Sequence, residues 1–178
     1  SHPVRLYAAL LRGMMYPDRA GSGLRPLLER IGDSELHLHG KRRHRWLSPA
    51  LFATHRAAPA LADEVLEFVS GQHRQDYRDL LEQLRRLGYH GEPAYALADW
   101  RTFGQVMAHL LGGIATWARD AGYGGLLVLL DEAEYLDQLP STSRSMAHNV
   151  LRYLAMATLP DRELAFDRAA AFGMRLDI

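Results

Sequence analysis

Two adjacent carboxylic acids, Asp131 and Glu132, follow directly on the most apolar run of the chain. The run is LLVLL at residues 126–130, and the glycine-rich stretch GYGG precedes it. A short apolar run flanked by glycine predicts a strand that is buried on both faces, as in the interior of a parallel sheet. Side chains at the carboxyl end of such a strand reach the edge where open α/β sheets bind ligands. We therefore expect the two acids to lie at a ligand-binding edge.

The two acids suit the chemistry of a nucleoside triphosphate. Neighbouring residues of a strand point in opposite directions, so each acid can have its own role. Asp131 can hold Mg²⁺ through the water shell of the ion, and Glu132 can polarise a water for in-line attack on a γ-phosphate. An apolar run followed by Asp-Glu is the Walker B arrangement. The alternative is an ordinary buried strand whose solvated end, or the start of the next helix, carries two acids.

Two groups of cationic side chains are further candidates for contacts with phosphate. Arg144 and Arg152 follow the acids on a predicted helix, where an arginine finger of an oligomeric ATPase can reach a neighbour's γ-phosphate. Surface positions on an amphipathic helix are the simpler explanation. The second group lies in HLHGKRRHR and consists of Lys41, Arg42, Arg43 and Arg45. This group is a candidate patch for a phosphate backbone, although a solvated loop is the commoner explanation.

The same stretch offers a weaker alternative, a metal site. In a strand, His37 and His39 would point to one face, as ligands of zinc sometimes do, and His44 lies close by in sequence. The chain has no cysteine, and only Glu35 is near enough in sequence to complete a ligand set. A loop without a metal is therefore the favoured interpretation.

Helical periodicity dominates the rest of the chain. Apolar residues recur at helical spacing within 3–16, 24–31, 60–71, 73–88, 97–123, 143–158 and 161–172. Ser48 followed by Pro49 predicts the N-cap and first turn of another helix. Residues 33–47 predict a loop, with a short strand at 36–38 as an option. The turn at Gly71 before helix 73–88 also fits a helix-turn-helix, although the leucines of that helix fit an ordinary core.

The composition excludes several classes of protein. The 178 residues suggest one domain, or one domain with a small insert. Because 21 basic residues balance 21 acidic ones, only a local patch could bind nucleic acid. The absence of cysteine excludes disulfides and fits a cytoplasmic protein. No apolar run approaches the roughly 20 residues needed to span a bilayer, and the first residues do not resemble a signal peptide. We expect no contact with a membrane.

The whole chain resembles the ATP-binding proteins of bacterial phage-exclusion (BREX) systems, a P-loop branch of the AAA-like and STAND-like ATPases. The matching stretches are HPVRLYAALLRGMMYPD, SPAL…LADEVLEFVSGQ and AGYGGLLVLLDEAEYLDQLPSTSR…NVLRYL. The resemblance implies an α/β fold, mostly helical, with a small parallel sheet of the P-loop NTPase type and an all-helical insert. Residues 1–32 and 97–178 would form a partial ATPase core, and residues 33–96 the insert. Asp131 would be the magnesium-side acid and Glu132 the catalytic base.

The chain departs from the family in one respect: it contains no G-x-x-x-x-G-K-[ST] motif. The resemblance places this phosphate-binding loop before Ser1 and the sensor strand and lid after Ile178. ATP and Mg²⁺ are then cofactors of a larger parent ATPase in phage defence, and this chain alone should bind nucleotide poorly and be inactive. Expected partners are the rest of the ATPase, further copies in a homo-oligomer, and DNA. The alternative function is a non-enzymatic helical interaction or DNA-binding module.

Overall fold

The computed structural model describes residues 3–71, 77–91, 103–131 and 133–158. In these residues the chain is almost entirely helical, with one short hairpin. The helices are α1 (Pro3–Arg12), α2 (Arg25–Ile31), α3 (Glu35–Leu38), α4 (Leu47–Arg56), α5 (Pro59–Val69), α6 (Tyr77–Arg86), α7 (Phe103–Asp120) and α8 (Ser141–Thr158). The hairpin joins β1 (Met15–Tyr16) to β2 (Arg19–Ser22), and a 3₁₀ helix spans Ala133–Gln138.

Helix α7 is central to the packing of the N- and C-terminal parts. It packs against α8, α1 and α2, while α4 packs against α2, α3 and α5, and α5 against α6. The buried side chains of α7 recur at helical spacing and include Met107, Leu110, Leu111, Ile114 and Trp117. A single cluster of buried apolar side chains joins residues from α1 through α8. The proposed division into an ATPase core and an insert stays a prediction.

Most of the predicted helices are confirmed where they fall on described residues. Those predicted at 24–31, 60–71 and 143–158 correspond to α2, α5 and α8. Helix α6 covers the described part of 73–88, and α7 covers most of 97–123. Residues 97–102 and the helix predicted at 161–172 lie outside the described residues. Within the part of the chain that the structure describes, no helix combines the length and apolar character needed to cross a bilayer.

The first predicted helix is too long at its C-terminal end. Helix α1 ends at Arg12, and Met15–Tyr16 pairs antiparallel with Arg19–Ser22 instead of continuing it. Pro17 and Asp18 connect the two strands, because Pro fixes a turn-compatible φ and Asp is at home in turns. This hairpin was not predicted from the sequence.

Residues 33–47 are mostly a loop, as predicted, but the optional strand at 36–38 is wrong, and Ser48 is not an N-cap. Residues 35–38 form α3, and α4 begins at Leu47, so Ser48 lies in its first turn. The buried Ser48 hydroxyl donates to the His37 carbonyl at 2.6 Å and accepts from the His44 N–H at 2.8 Å. Neither bond involves a backbone N–H group of the first turn of α4, so the Ser48 side chain does not cap this helix.

The predicted parallel sheet of the P-loop NTPase type is wrong for the described residues. There the only strands are those of the antiparallel hairpin, and residues 126–130 pair with no other strand. Leu127 and Leu129 are 81% and 80% exposed, so the run is not buried on both faces. An apolar run favours burial, but a central strand also needs neighbouring strands, and no described segment supplies them.

Candidate functional site

Arg30 of α2 holds the start of the acid-bearing segment against the helices. Its Nε atom donates to the Ala121 carbonyl at 2.7 Å, and its Nη1 atom donates to the Tyr123 hydroxyl at 3.1 Å. The guanidinium also pairs with Asp18 in the turn of the hairpin, and the Tyr123 hydroxyl donates to Asp18 Oδ1 at 2.9 Å. The Arg30 guanidinium, followed by that hydroxyl, lowers the pKa of the Asp18 carboxyl. Three segments distant in sequence therefore meet where the acid-bearing segment begins.

The chain leaves α7 through glycines and then continues to Asp131 without regular secondary structure. Gly122 and Gly125 have φ values of 88° and 142°, in the region that side chains with a Cβ rarely adopt. Burial then alternates along residues 126–129, because the residues at 126 and 128 are half-buried whereas Leu127 and Leu129 are exposed. A period of two indicates an extended backbone with one side toward the protein. We call residues 126–130 the leucine segment.

Asp131 lies at the end of the leucine segment and is exposed. Glu132 lies outside the described residues, so the geometry of the acid pair stays a prediction. The 3₁₀ helix that follows is joined to α8 by His148 Nε2 and Asp137 Oδ1 at 3.4 Å. Asp131 thus lies between two contacts, those of Arg30 before the segment and that of Asp137 with His148 after it.

The two arginine-finger candidates lie on the helix that receives this contact. Arg144 and Arg152 are each four residues from His148, so the three side chains line one stripe of α8. Arg144 is half-buried, and its buried Nε atom has no hydrogen-bond partner among the described residues, whereas Arg152 is exposed. The structure brings Arg144 to the helix end nearest in sequence to the acids. A role for either arginine at a γ-phosphate stays a prediction.

The basic stretch is only partly a surface patch. The side chains of Lys41, Arg42 and Arg43 are exposed, and Arg45 is half-buried. Arg42 Nε lies 3.2 Å from the Asp120 carboxylate at the end of α7. Because these cations are exposed, they are accessible to a phosphate backbone, and a contact with one stays a prediction. The helix-turn-helix option is less favoured, because the leucines at 80 and 84 on α6 are buried.

The three histidines of this stretch do not converge on a metal. Residues 35–38 form a helix and not a strand, so the two histidines do not share a face: His37 on α3 is buried, and His39, which follows the helix, is exposed. His37 contacts the Ser34 hydroxyl at 2.9 Å and the Asp120 carboxylate at 3.1 Å. His44 is buried against His109 instead. Within the part of the chain that the structure describes, no group of three His, Cys, Asp or Glu side chains could hold a metal ion.

An apolar cleft of about 390 Å³ lies beside the start of the leucine segment. The hairpin contributes Met15 and Tyr16, helix α7 contributes Ile114 and Ala118, and the chain from Tyr123 to Leu127 closes the other side. The Tyr16 and Tyr123 rings contact each other with 5.6 Å between centroids. Burial raises the pKa of the Tyr16 hydroxyl, which donates to the Gly23 carbonyl at 2.7 Å.

Residues 104–163 match the family described as BREX system ATP-binding protein BrxC/D. The match covers about a third of the chain and includes α7, the leucine segment, the acids and α8. It supports the BREX resemblance for this part of the chain. No curated protein and no solved structure matches the chain.

The contacts of Arg30 were missed by reasoning from sequence. Arg30 and Tyr123 are 93 residues apart, and no motif in the sequence links the two. The glycines around Tyr123 were the only local signal, since they predicted a turn before the segment. Which side chain would hold that turn depends on how α2 packs against α7.

Proposed function

We propose that this chain carries the magnesium-side acid and the catalytic base of an ATP-binding protein related to the BREX family. The observation that carries the proposal is the position of Asp131. Its carboxylate is exposed at the end of an apolar extended segment, inside the residues that match the family. The family is described as ATP-binding, and we propose that this chain takes part in ATP binding as well.

In this proposal each acid has a distinct role. Asp131 binds Mg²⁺ through water, since magnesium prefers oxygen ligands and keeps most of its own waters. Glu132 orients and polarises the water that attacks the γ-phosphate. The chain has no lysine-containing phosphate loop, so the contacts to the triphosphate come from outside these 178 residues. Arg144 is the favoured candidate for a cation at the γ-phosphate, because it lies nearest in sequence to the acids on the stripe that includes His148.

The test compares Asp131→Ala with Glu132→Gln in a protein that contains both this chain and a phosphate loop. We expect Asp131→Ala to weaken Mg²⁺-dependent nucleotide binding, because a metal ligand is lost. We expect Glu132→Gln to keep binding but stop hydrolysis, because the amide fills the same space without polarising water. Nucleotide affinity and turnover are measured for each variant, with Asp79→Ala, which removes an exposed acid on α6, as the control. Equal and minor effects at both positions would exclude the proposal.

The 178-residue chain by itself should not turn over ATP, because the backbone cradle and lysine that hold the phosphates are missing from it. The measurement is phosphate release by the purified chain, with Glu132→Gln as the control for contaminating ATPases. Turnover that disappears in Glu132→Gln would contradict the need for an external phosphate loop.

A further inference from the structure

The chain gathers basic side chains in one stretch that no acid interrupts. Residues 37–47 read HLHGKRRHRWL and contain no aspartate or glutamate, although acidic and basic residues balance over the whole chain. The side chains of Lys41, Arg42 and Arg43 are exposed, and Arg45 is half-buried. We call residues 41–45 the basic loop. A local excess of positive charge on a neutral protein attracts polyanions to that part of its surface.

The backbone of the basic loop is held against the surrounding helices. The Trp117 indole N–H donates to the Arg42 carbonyl at 3.0 Å, and the Arg42 N–H donates to the Leu36 carbonyl at 3.1 Å. The Ser48 hydroxyl accepts from the N–H of His44, whose side chain is buried. Because the backbone is already held in place, the exposed cations lose less conformational freedom when they bind a ligand.

The acids around the basic loop do not cancel its charge. Asp33 and Glu35 both accept from the Arg56 guanidinium, at 2.9 Å and 2.7 Å. Asp120, at the end of α7, lies 3.2 Å from Arg42 Nε. The four cations of the loop, together with Arg56, outnumber these three acids, so the surface stays positive.

The surroundings of the loop favour a duplex over a single strand or a free phosphate. Single strands are held by exposed aromatic rings on which bases stack, but Trp46 and Trp117 beside the loop are buried. Free phosphates bind N–H groups at a helix start, but those of Trp46 and Leu47 at the start of α4 are already bonded to the buried His44 ring. Exposed cations remain, and they suit phosphates along a duplex whatever its base sequence.

We propose that the basic loop binds the phosphate backbone of a nucleic-acid duplex without reading its base sequence. If Lys41, Arg42 and Arg43 each neutralise one phosphate, the logarithm of the binding constant falls with the logarithm of salt concentration with a slope of roughly −2.7, which is about −0.9 for each phosphate. Affinity is modest, since contacts of this kind give dissociation constants of roughly 10⁻⁴ to 10⁻⁶ M at physiological salt. The proposal involves neither the acids nor a nucleotide, so it and the proposed function can fail separately.

The first experiment measures binding of the 178-residue chain to a fluorescein-labelled DNA duplex of about 20 base pairs, by fluorescence anisotropy from about 50 to 200 mM salt. Lys41→Gln and Arg43→Gln each remove one cation. Each should weaken binding by roughly fivefold at low salt and make the salt slope shallower by about 0.9. Arg86→Gln is the matched control, because it removes the same charge from an exposed position on α6, where Arg86 pairs with Glu82. It should leave both quantities unchanged.

Three outcomes of this experiment would overturn the proposal. The first is a chain that does not bind the duplex even at the lowest salt. The second is a salt slope that changes equally in Lys41→Gln and Arg86→Gln. The third is tighter binding of a single strand of the same length, or displacement of the duplex by polyglutamate of matched charge at equal ionic strength. Urea unfolding midpoints equal to that of the wild type establish that the variants lose cations and not the fold.

A second experiment locates the contact without any substitution. Lys41 is the single lysine among the 178 residues, so an amine-acylating reagent modifies only Lys41 and the α-amine of Ser1. Saturating duplex should slow the acylation of Lys41 several-fold, as followed by mass spectrometry, and leave the rate at the α-amine unchanged as the internal reference. Equal rates at Lys41 with and without bound duplex would place the contact elsewhere on the chain and contradict the proposal.

Discussion

The imidazole ring of His44 stacks on that of His109 in α7, with 4.4 Å between their centroids and 15° between their planes. His44 Nδ1 accepts from the backbone N–H groups of Trp46 and Leu47 at 3.3 Å each, so this ring caps the start of α4. Its buried Nε2 atom lies against Gly113 and makes no hydrogen bond of ordinary geometry. This buried environment therefore favours neutral imidazole rings over imidazolium ions.

Acid should destabilise the fold through this pair. Burial, with a smaller effect of neighbouring His109, lowers the pKa of His44 to about 3, and burial, followed by the charge of Arg45, lowers that of His109 to about 4. Both values lie below the roughly 6.5 of an unfolded histidine, so the unfolded chain binds more protons below that pH. The free energy of unfolding should fall as pH drops from about 6.5 towards 4, by up to about 1.4 kcal/mol per pH unit for each ring.

Urea unfolding at several pH values measures this dependence. His109→Gln should flatten it, because one buried ring no longer titrates. His90→Gln changes an exposed histidine and serves as the control. A pH dependence that is the same in His109→Gln and wild type would contradict this role of the pair.

Two neighbouring glycines of α7 should respond to alanine with opposite signs. A Cβ at Gly113 would lie 2.4 Å from His44 Nε2, and the buried ring has little room to move. We expect Gly113→Ala to reduce stability by about 1–3 kcal/mol, the usual range for overpacking. At Gly112 nothing lies within 4 Å, so Gly112→Ala should add up to about 1 kcal/mol through helix propensity. The denaturant midpoints of the two variants measure the two changes in stability. A stabilising Gly113→Ala would contradict the close approach of the His44 ring to Gly113.

Arg30→Gln should loosen the chain between α7 and the leucine segment. The change removes the bonds to Ala121 and Tyr123 and the pairing with Asp18 together. We expect faster amide hydrogen exchange across residues 121–125 and little change in the α4–α5 core. Arg25→Gln is the control, since Arg25 has similar exposure and pairs with Asp63 on α5. If both variants raised exchange at 121–125 equally, Arg30 would have no special role there.

Helix positions were predictable where apolar residues repeat at helical spacing, as in α5, α7 and α8. Each of these helices buries one apolar stripe, and the spacing of apolar residues in the local sequence shows where that stripe lies. The short elements were not predictable. Residues 36–38 were predicted as part of a loop, with a short strand as an option, yet they belong to α3, which lies against α4 and accepts the Ser48 hydroxyl bond. The positions of Arg30 and His44 at their contacts likewise depend on residues far away in sequence.

The sequence by itself determined that residues 126–130 are strongly apolar, that glycines precede them and that acids follow them. It also determined which faces of the long helices are apolar. Only the tertiary structure decided that the leucine segment is extended, unpaired and exposed at the surface, because strand pairing requires backbone donors and acceptors from another segment. Tertiary structure likewise decided that Arg30, Asp18 and Tyr123 meet, because contacts between distant residues form only when helices pack.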